Sequence, residues 1–219
     1  MIKLYSFRWV PDFARGYVRD LRVRWALEEA GIPYEQHLLD QGDQKSPDYL
    51  KLQPFGQVPA IEENGAKLFE SGAIVLNIAR RCEALMPDDE QGRARTEAWM
   101  FAALNSVETM VGNLADIDLF AKGERWAEER RPAAVDQVNQ RLDLVEGWLG
   151  KGDYLEGRFT AGDLLMSDVL RILDHTDLVD RRPALAAYRD RCKARPAFQK
   201  ALADQLASFD DSAAPPGWS

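Results

Sequence analysis

The sequence predicts an α/β unit followed by an all-α unit, and three observations carry that prediction. The first 84 residues read β-α-β and then β-β-α, a polar breaker follows, and beyond it only helical periodicity recurs. At 219 residues the chain exceeds the usual domain of about 150. The reading therefore sets residues 1–84 as one domain, 85–92 as a linker and 93–219 as a second, all-helical domain.

Ile2, Leu4 and Phe7 come close to alternation over residues 2–7, a short strand that Pro11 stops. From about Gly16 to Ala30 two apolar rows, Val18/Leu21/Trp25 and Val23/Leu27/Ala30, give the wide face of a helix packed on a sheet. Gly31 and Pro33 end that helix. Tyr34–Leu39 is the next strand, and Ser46-Pro47 starts a helical turn with Ser46 as N-cap. Val58–Ile61 and Lys67–Phe69 are two strands joined by Glu63-Asn64-Gly65, a hairpin signal. A helix from Ser71 to about Glu83 completes the first domain.

Beyond the breaker Leu85–Gly92, apolar positions repeat at three and four from Met100 to Leu114 and again from Val135 to Leu149, predicting two long amphipathic helices. Thr160–Leu173 is apolar nearly all round and reads as a central buried helix. Two shorter helices, about 183–193 and 196–207, precede a Pro215-Pro216-Gly217 tail that reads as unstructured.

Net charge is −8, and most of it falls in the second half: residues 1–84 hold 11 Lys/Arg against 12 Asp/Glu, the remainder 17 against 24. Such a balance argues against nucleic acid or an anionic membrane surface as partner. No uncharged apolar stretch approaches the roughly 18 residues of a membrane helix. Lys3 and Arg8 interrupt what would be the apolar core of a secretory signal, so a cytoplasmic location is expected. Cys82 and Cys192, with His37 and His175, have no metal-ligand spacing, so no metal is expected.

Pro54-Phe55-Gly56-Gln57-Val58-Pro59-Ala60 and, eleven residues on, Glu70-Ser71-Gly72-Ala73-Ile74 carry the chemistry. A cis Val58-Pro59 bond would turn the Val58 N–H and C=O outward, ready to pair with an extended peptide. Taken alone, Pro59 fits equally well a residue that simply starts a strand. Ser71 opens a helix whose N–H groups and dipole can hold a carboxylate, and Glu70 can face an ammonium group. In isolation that pair is also a plain cap with a solvated neighbour.

Together these pieces resemble the cytosolic glutathione S-transferase family, here as a bacterial-type member of unassigned class. The resemblance spans the chain. It rests on Gly56-Gln57-Val58-Pro59, on Glu70-Ser71-Gly72-Ala73-Ile74, on the segment from Arg22-Val23-Arg24 to Pro33, and on Phe159-Thr160-Ala161-Gly162-Asp163, a capping box with Thr160 as N-cap and Asp163 at N3. It implies a thioredoxin-like N-terminal domain, an all-helical C-terminal domain, glutathione as co-substrate and a homodimer. In that family Val58 would pair with the cysteinyl part of glutathione, Pro59 would be the cis proline, Glu70 and Ser71 would hold the γ-glutamyl end, and Gln57 would reach the glycyl end.

The thiol activator departs from the pattern. Family members use a Tyr, Ser or Cys at the end of the first strand or the start of the first helix, whereas Phe7–Asp20 here is longer and holds no Ser or Cys. Three hydroxyls remain as catalytic candidates: Tyr17, Tyr5 and Ser6. Tyr5 also reads as core, and Arg19 as a solvated neighbour of the site. An acceptor pocket is expected from Trp9, Val10 and Phe13 of the long loop and from Phe101, Asn105, Glu108 and Trp126 of the second half. The function implied is transfer of the glutathione thiolate to a small hydrophobic electrophile. Glutathione-dependent isomerisation, dehalogenation or peroxide reduction share the same thiol site, and a non-catalytic binding or regulatory protein of the same fold is the reading from another class.

Overall fold

The computed structural model describes residues 1–217, and the chain divides into two compact units. The first comprises Met1–Leu85 together with the chain from Arg195 onward, and the second is Met86–Ala194.

The first unit is built on four strands, β1 (Ile2–Phe7), β2 (Tyr34–Leu39), β3 (Ala60–Glu63) and β4 (Ala66–Phe69), in the order β2-β1-β3-β4. β1 and β2 are parallel, from Ile2 opposite Tyr34 to Phe7 opposite Leu39. β3 runs antiparallel to both neighbours, Ala60 facing Tyr5 on one side and Phe69 on the other. Asn64 (φ 52°) and Gly65 (φ 82°) form the two-residue turn, both at the positive φ that a tight hairpin demands. Pro59 has no N–H, so β3 starts at Ala60 rather than at Val58 as expected.

Three helices follow from the same stretch: α1 (Asp20–Ala30), α2 (Pro47–Leu50) and α3 (Ser71–Ala79). Every residue of α1 from Asp20 to Leu27 is buried, charged ones included. Arg24 Nε donates to Asp20 Oδ2 at 2.7 Å, and its Nη2 to Ser6 Oγ at 3.1 Å and Gln36 Oε1 at 3.0 Å, so the cation is spent on the sheet beneath it. Desolvation pushes the Asp20 carboxyl upward against the opposing pull of Arg24 and Gln205.

The second unit runs through α4 (Glu90–Phe101), a π-helical turn over Ala102–Val107, α5 (Glu108–Ala115), a second π turn over Asp116–Phe120, then α6 (Arg125–Leu149), α7 (Ala161–Arg171) and α8 (Pro183–Lys193). All of α7 is buried, as its all-round apolar pattern requires. Its capping box is formed. Asp163 Oδ2 accepts from the Thr160 N–H at 2.9 Å, while Oδ1 accepts from the Leu155 N–H at 2.9 Å and the Tyr188 hydroxyl at 3.1 Å. A Cβ on Gly162 would stand 2.7 Å from Trp99 Cβ, which is why α4 and α7 cross at a glycine.

Two expectations need correction. The last helix, α9 (Pro196–Ala207), packs on α1 and belongs to the first unit, not to the helical one. Phe198 stacks edge-on against Trp25 at 4.8 Å, Arg195 pairs with Glu29 at 2.6 Å, and Gln205 Nε2 reaches Asp20 Oδ1 at 2.7 Å. Nor is 85–92 wholly a polar linker, since Leu85 and Met86 are buried and α4 begins at Glu90 behind an Asp89 cap.

Asp163→Ala would strand the Leu155 and Thr160 N–H groups and the Tyr188 hydroxyl in the interior. We expect a loss of about 2–4 kcal/mol, read by calorimetry as a fall of roughly 5–15 °C in the thermal midpoint.

Candidate functional site

The register of the central strands assembles the site. Because Ala60 faces Phe69, the residues just outside the hairpin ladder, Pro59 and Glu70, emerge at the same end. Because Ala60 also faces Tyr5 on antiparallel β1, that end is where β1 runs out and the loop of residues 8–19 begins. Three sequence segments, two of them eleven residues apart and the third about forty residues upstream, thus converge at one edge of the sheet.

The Val58-Pro59 bond is cis. The chain before it is anchored at several points. The Leu52 and Gln53 N–H groups both donate to the Tyr49 carbonyl, at 2.8 and 2.9 Å, and the Gly56 N–H donates to Gln53 at 3.1 Å. Tyr49 hydroxyl donates to the Gln57 carbonyl at 2.7 Å, and burial raises its phenol far above the ordinary tyrosine range, which keeps the proton on that donor. The Val58 side chain packs in an apolar cluster with Tyr5, Leu39, Tyr49, Leu52 and Ala60, whereas the Gln57 side chain is exposed.

Glu70 stands at φ 69°, ψ 117°, a conformation that costs a non-glycine residue about 1–3 kcal/mol. It connects β4 directly to α3, and its carbonyl already accepts the first helical bond, from Ile74 N–H at 2.9 Å. Its side chain is exposed. Ser71, the first residue of α3, is nearly buried, and its Oγ accepts from Nη1 of the buried Arg22 at 3.4 Å. A hydroxyl that accepts from a guanidinium keeps its own proton to donate. With the unpaired N–H groups of the first helical turn and the positive end of the helix dipole, this corner suits a carboxylate. The exposed Glu70 carboxylate suits an ammonium group. Neither Arg22 nor Tyr49 was singled out from the sequence. Arg22 lies within a segment that carries the family resemblance, but a charge on a helix gives no sign that it is buried.

The three candidate hydroxyls differ in surroundings. Tyr5 is 9% exposed, its ring lies 4.7 Å from His37 and 5.8 Å from Tyr49, and its hydroxyl points to Glu62 at 3.4 Å, in the register of Lys3 and away from the converging edge. Ser6 is 1% exposed and accepts from Arg24. Tyr17 is 41% exposed, just ahead of α1, with its N–H bonded to the Ala14 carbonyl at 3.0 Å. Of the residues expected around an acceptor, Trp9 and Val10 are buried and Phe13 is exposed in the first unit. In the second unit Phe101, Asn105 and Trp126 are exposed and Glu108 is buried, with Asn105 inside the first π turn. Among the described residues no group of His, Cys, Asp and Glu could hold a metal ion, and no helix is long and apolar enough to cross a membrane.

Family models described as the N-terminal and the C-terminal domain of glutathione S-transferase match residues 13–80 and 113–196. Glutathione S-transferase 3 of Zea mays is 30% identical over 217 residues, covering 92% of this chain and 93% of the relative. A glutathione S-transferase of Silene vulgaris is 31% identical over 203 residues, covering 84% and 92%. Among solved structures, a glutathione transferase from Populus trichocarpa superposes with a TM-score of 0.83 at 25% identity, over 94% of this chain and all of that one (100%). A Pseudomonas fluorescens family member with two glutathione molecules bound gives 0.81 at 26%, over 92% of each chain. The thioredoxin-like and helical architecture is that of these structures. The sequence relatives are plant proteins, so the bacterial-type character expected from the sequence is not borne out.

Backbone strain at Glu70 makes a separable prediction. Glu70→Gly should raise thermal stability by about 1 kcal/mol, or roughly 2–4 °C, whereas Glu70→Ala, which keeps the Cβ, should not. A calorimetric scan of both variants reads the difference.

Proposed function

The chain belongs to the glutathione S-transferase family, and we propose that it binds glutathione at the converging edge of the first unit and delivers the thiolate to a small hydrophobic electrophile. The observation that carries this reading is the register that sets the cis Val58-Pro59 step beside Glu70-Ser71. Glutathione is an extended peptide with one ammonium group and two carboxylates. The Val58 main chain pairs with its cysteinyl part, Glu70 faces the ammonium, Ser71 and the start of α3 take the γ-glutamyl carboxylate, and Gln57 reaches the glycyl end. Arg22 beneath Ser71 adds a buried positive charge.

Tyr17 is the thiol activator in this proposal, on the support that Tyr5 and Ser6 are committed to packing while the Tyr17 phenol is exposed. Its O–H donates to the sulfur and stabilises the thiolate. A free thiol near pKa 8.5 is only a few per cent ionised at pH 7. Lowering it by about two units takes about 2.7 kcal/mol, within reach of one hydrogen bond to a charged acceptor plus a nearby dipole. The thiolate then attacks the electrophile directly, and the leaving group departs with the electron pair of the broken bond. The electrophile contacts proposed in the first unit are Trp9, Val10 and Phe13 of the loop. A cytoplasmic homodimer is the state that the family resemblance supports.

The test is a glutathione titration followed by thiolate absorbance against pH. Wild type should ionise the bound thiol about two units below the free one, Tyr17→Phe should abolish that shift, and Tyr5→Phe should leave it. A wild type that binds glutathione with no shift would sink the catalytic reading. In steady state, Ser71→Ala should raise the Michaelis constant for glutathione about tenfold, the loss of one charge-assisted hydrogen bond, with the thiol ionisation of the saturated complex retained.

A further inference from the structure

The loop of residues 8–19 is held from outside by the end of the chain. The Asp210 N–H donates to the Arg8 carbonyl at 2.9 Å, at the loop's beginning. In its middle, Arg15 is paired with Asp211, and its guanidinium lies 5.6 Å from the Phe209 ring centroid. The same guanidinium donates from Nε to the loop's own Val10 carbonyl at 3.4 Å and sits 3.2 Å from Asp12. At the loop's end, Gln205 Nε2 donates to the Val18 carbonyl at 3.0 Å. Asp210 in turn is fixed by accepting from the Ser212 N–H and hydroxyl, at 2.9 and 2.6 Å, which tightens the turn that presents Asp211. On its opposite flank the loop meets the end of β2, where Arg8 pairs with Asp40 at 2.6 Å and Gln41 Nε2 donates to the Trp9 carbonyl at 3.1 Å.

We propose that Gln205–Asp211 is a strap that positions this loop, with Arg15 and Asp211 as positioning residues, and thereby sets where the Tyr17 phenol stands relative to the bound thiol. A loop of twelve residues whose regular structure is a single 3-10 turn, Asp12–Ala14, has many conformations of similar energy, because its own backbone hydrogen bonds are few and local. Anchors at its beginning, middle and end remove that freedom without touching the ligand. The consequence for Tyr17 rests on the proposed role of that residue, whereas the strap itself rests only on the contacts above.

Hydrogen exchange and turnover separate the two. Three chains are compared with wild type: one ending after Ser208, Asp211→Arg, and the charge swap Arg15→Asp with Asp211→Arg. The reporting amides are Ala14, Arg15 and Tyr17, which donate within the loop to Pro11, Asp12 and Ala14. Their exchange should quicken about tenfold or more in the shortened chain and in Asp211→Arg, and return toward wild type in the swap, with β3 and β4 unchanged. For turnover, kcat should fall about fivefold or more while the Michaelis constant for glutathione stays within about twofold, because Glu70 and Ser71 do not touch the strap. Unchanged loop exchange in the shortened chain would overturn the strap. Quickened exchange with undiminished kcat would overturn its positioning role. A wild type without glutathione turnover would refute the transferase reading instead, and the exchange data would still decide whether the strap exists.

Discussion

Everything at the candidate site depends on the pairing of Ala60 with Tyr5 on one side and Phe69 on the other. A slip of one residue in either ladder would turn the Val58 side chain out of its cluster and carry Glu70 away from Pro59. The pairing is protected by its surroundings. Ala60 is fully buried, Pro59 cannot extend the ladder backward, and the Asn64-Gly65 turn permits only one closure of the hairpin. A candidate site made from three separate stretches therefore needs no long-range device beyond a short hairpin registered on the first strand.

Around that edge the molecule divides its polar groups by task. Asp20, Arg24, Ser6 and Gln205 form a buried network, with the exposed Gln36 at its edge, that bonds α1 to the sheet on one side and to α9 on the other. A buried charge of this kind contributes little net stability once its desolvation is counted, but removing one partner is costly. Arg22, two residues from Arg24 on the same helix, serves Ser71 instead. The strained backbone at Glu70 belongs with the second group: it joins strand to helix without an intervening residue and leaves the carboxylate in solvent beside Ser71.

Much of this was legible beforehand, for identifiable reasons. The strands, the Asn64-Gly65 hairpin and the Thr160–Asp163 capping box are local signals, and apart from β3, which is shifted to Ala60–Glu63, each is found where alternation or spacing puts it. Helix ends were harder. α1 begins at Asp20 rather than Gly16 because residues 14–18 close turns of their own, and α3 stops at Ala79 where the Arg81 and Cys82 N–H groups close tighter turns onto the Ile78 and Ala79 carbonyls. The burial of Tyr5 and Ser6 together is closed to sequence reasoning, since strand alternation does not reveal that both faces of β1 are covered. The allegiance of α9 was closed for a related reason. An amphipathic helix declares that it has a partner without declaring which one.

That allegiance has a consequence for how the protein comes into being. The first unit is discontinuous, with its α1 finished only by Phe198 and Gln205, more than a hundred residues after the sheet has been made. During synthesis from the N-terminus, the helical unit is whole once Ala194 has left the ribosome, whereas the sheet, already translated, must wait with Trp25 and the Asp20 carboxylate still lacking their cover. The segment that completes the first unit is thus translated after the whole of the second.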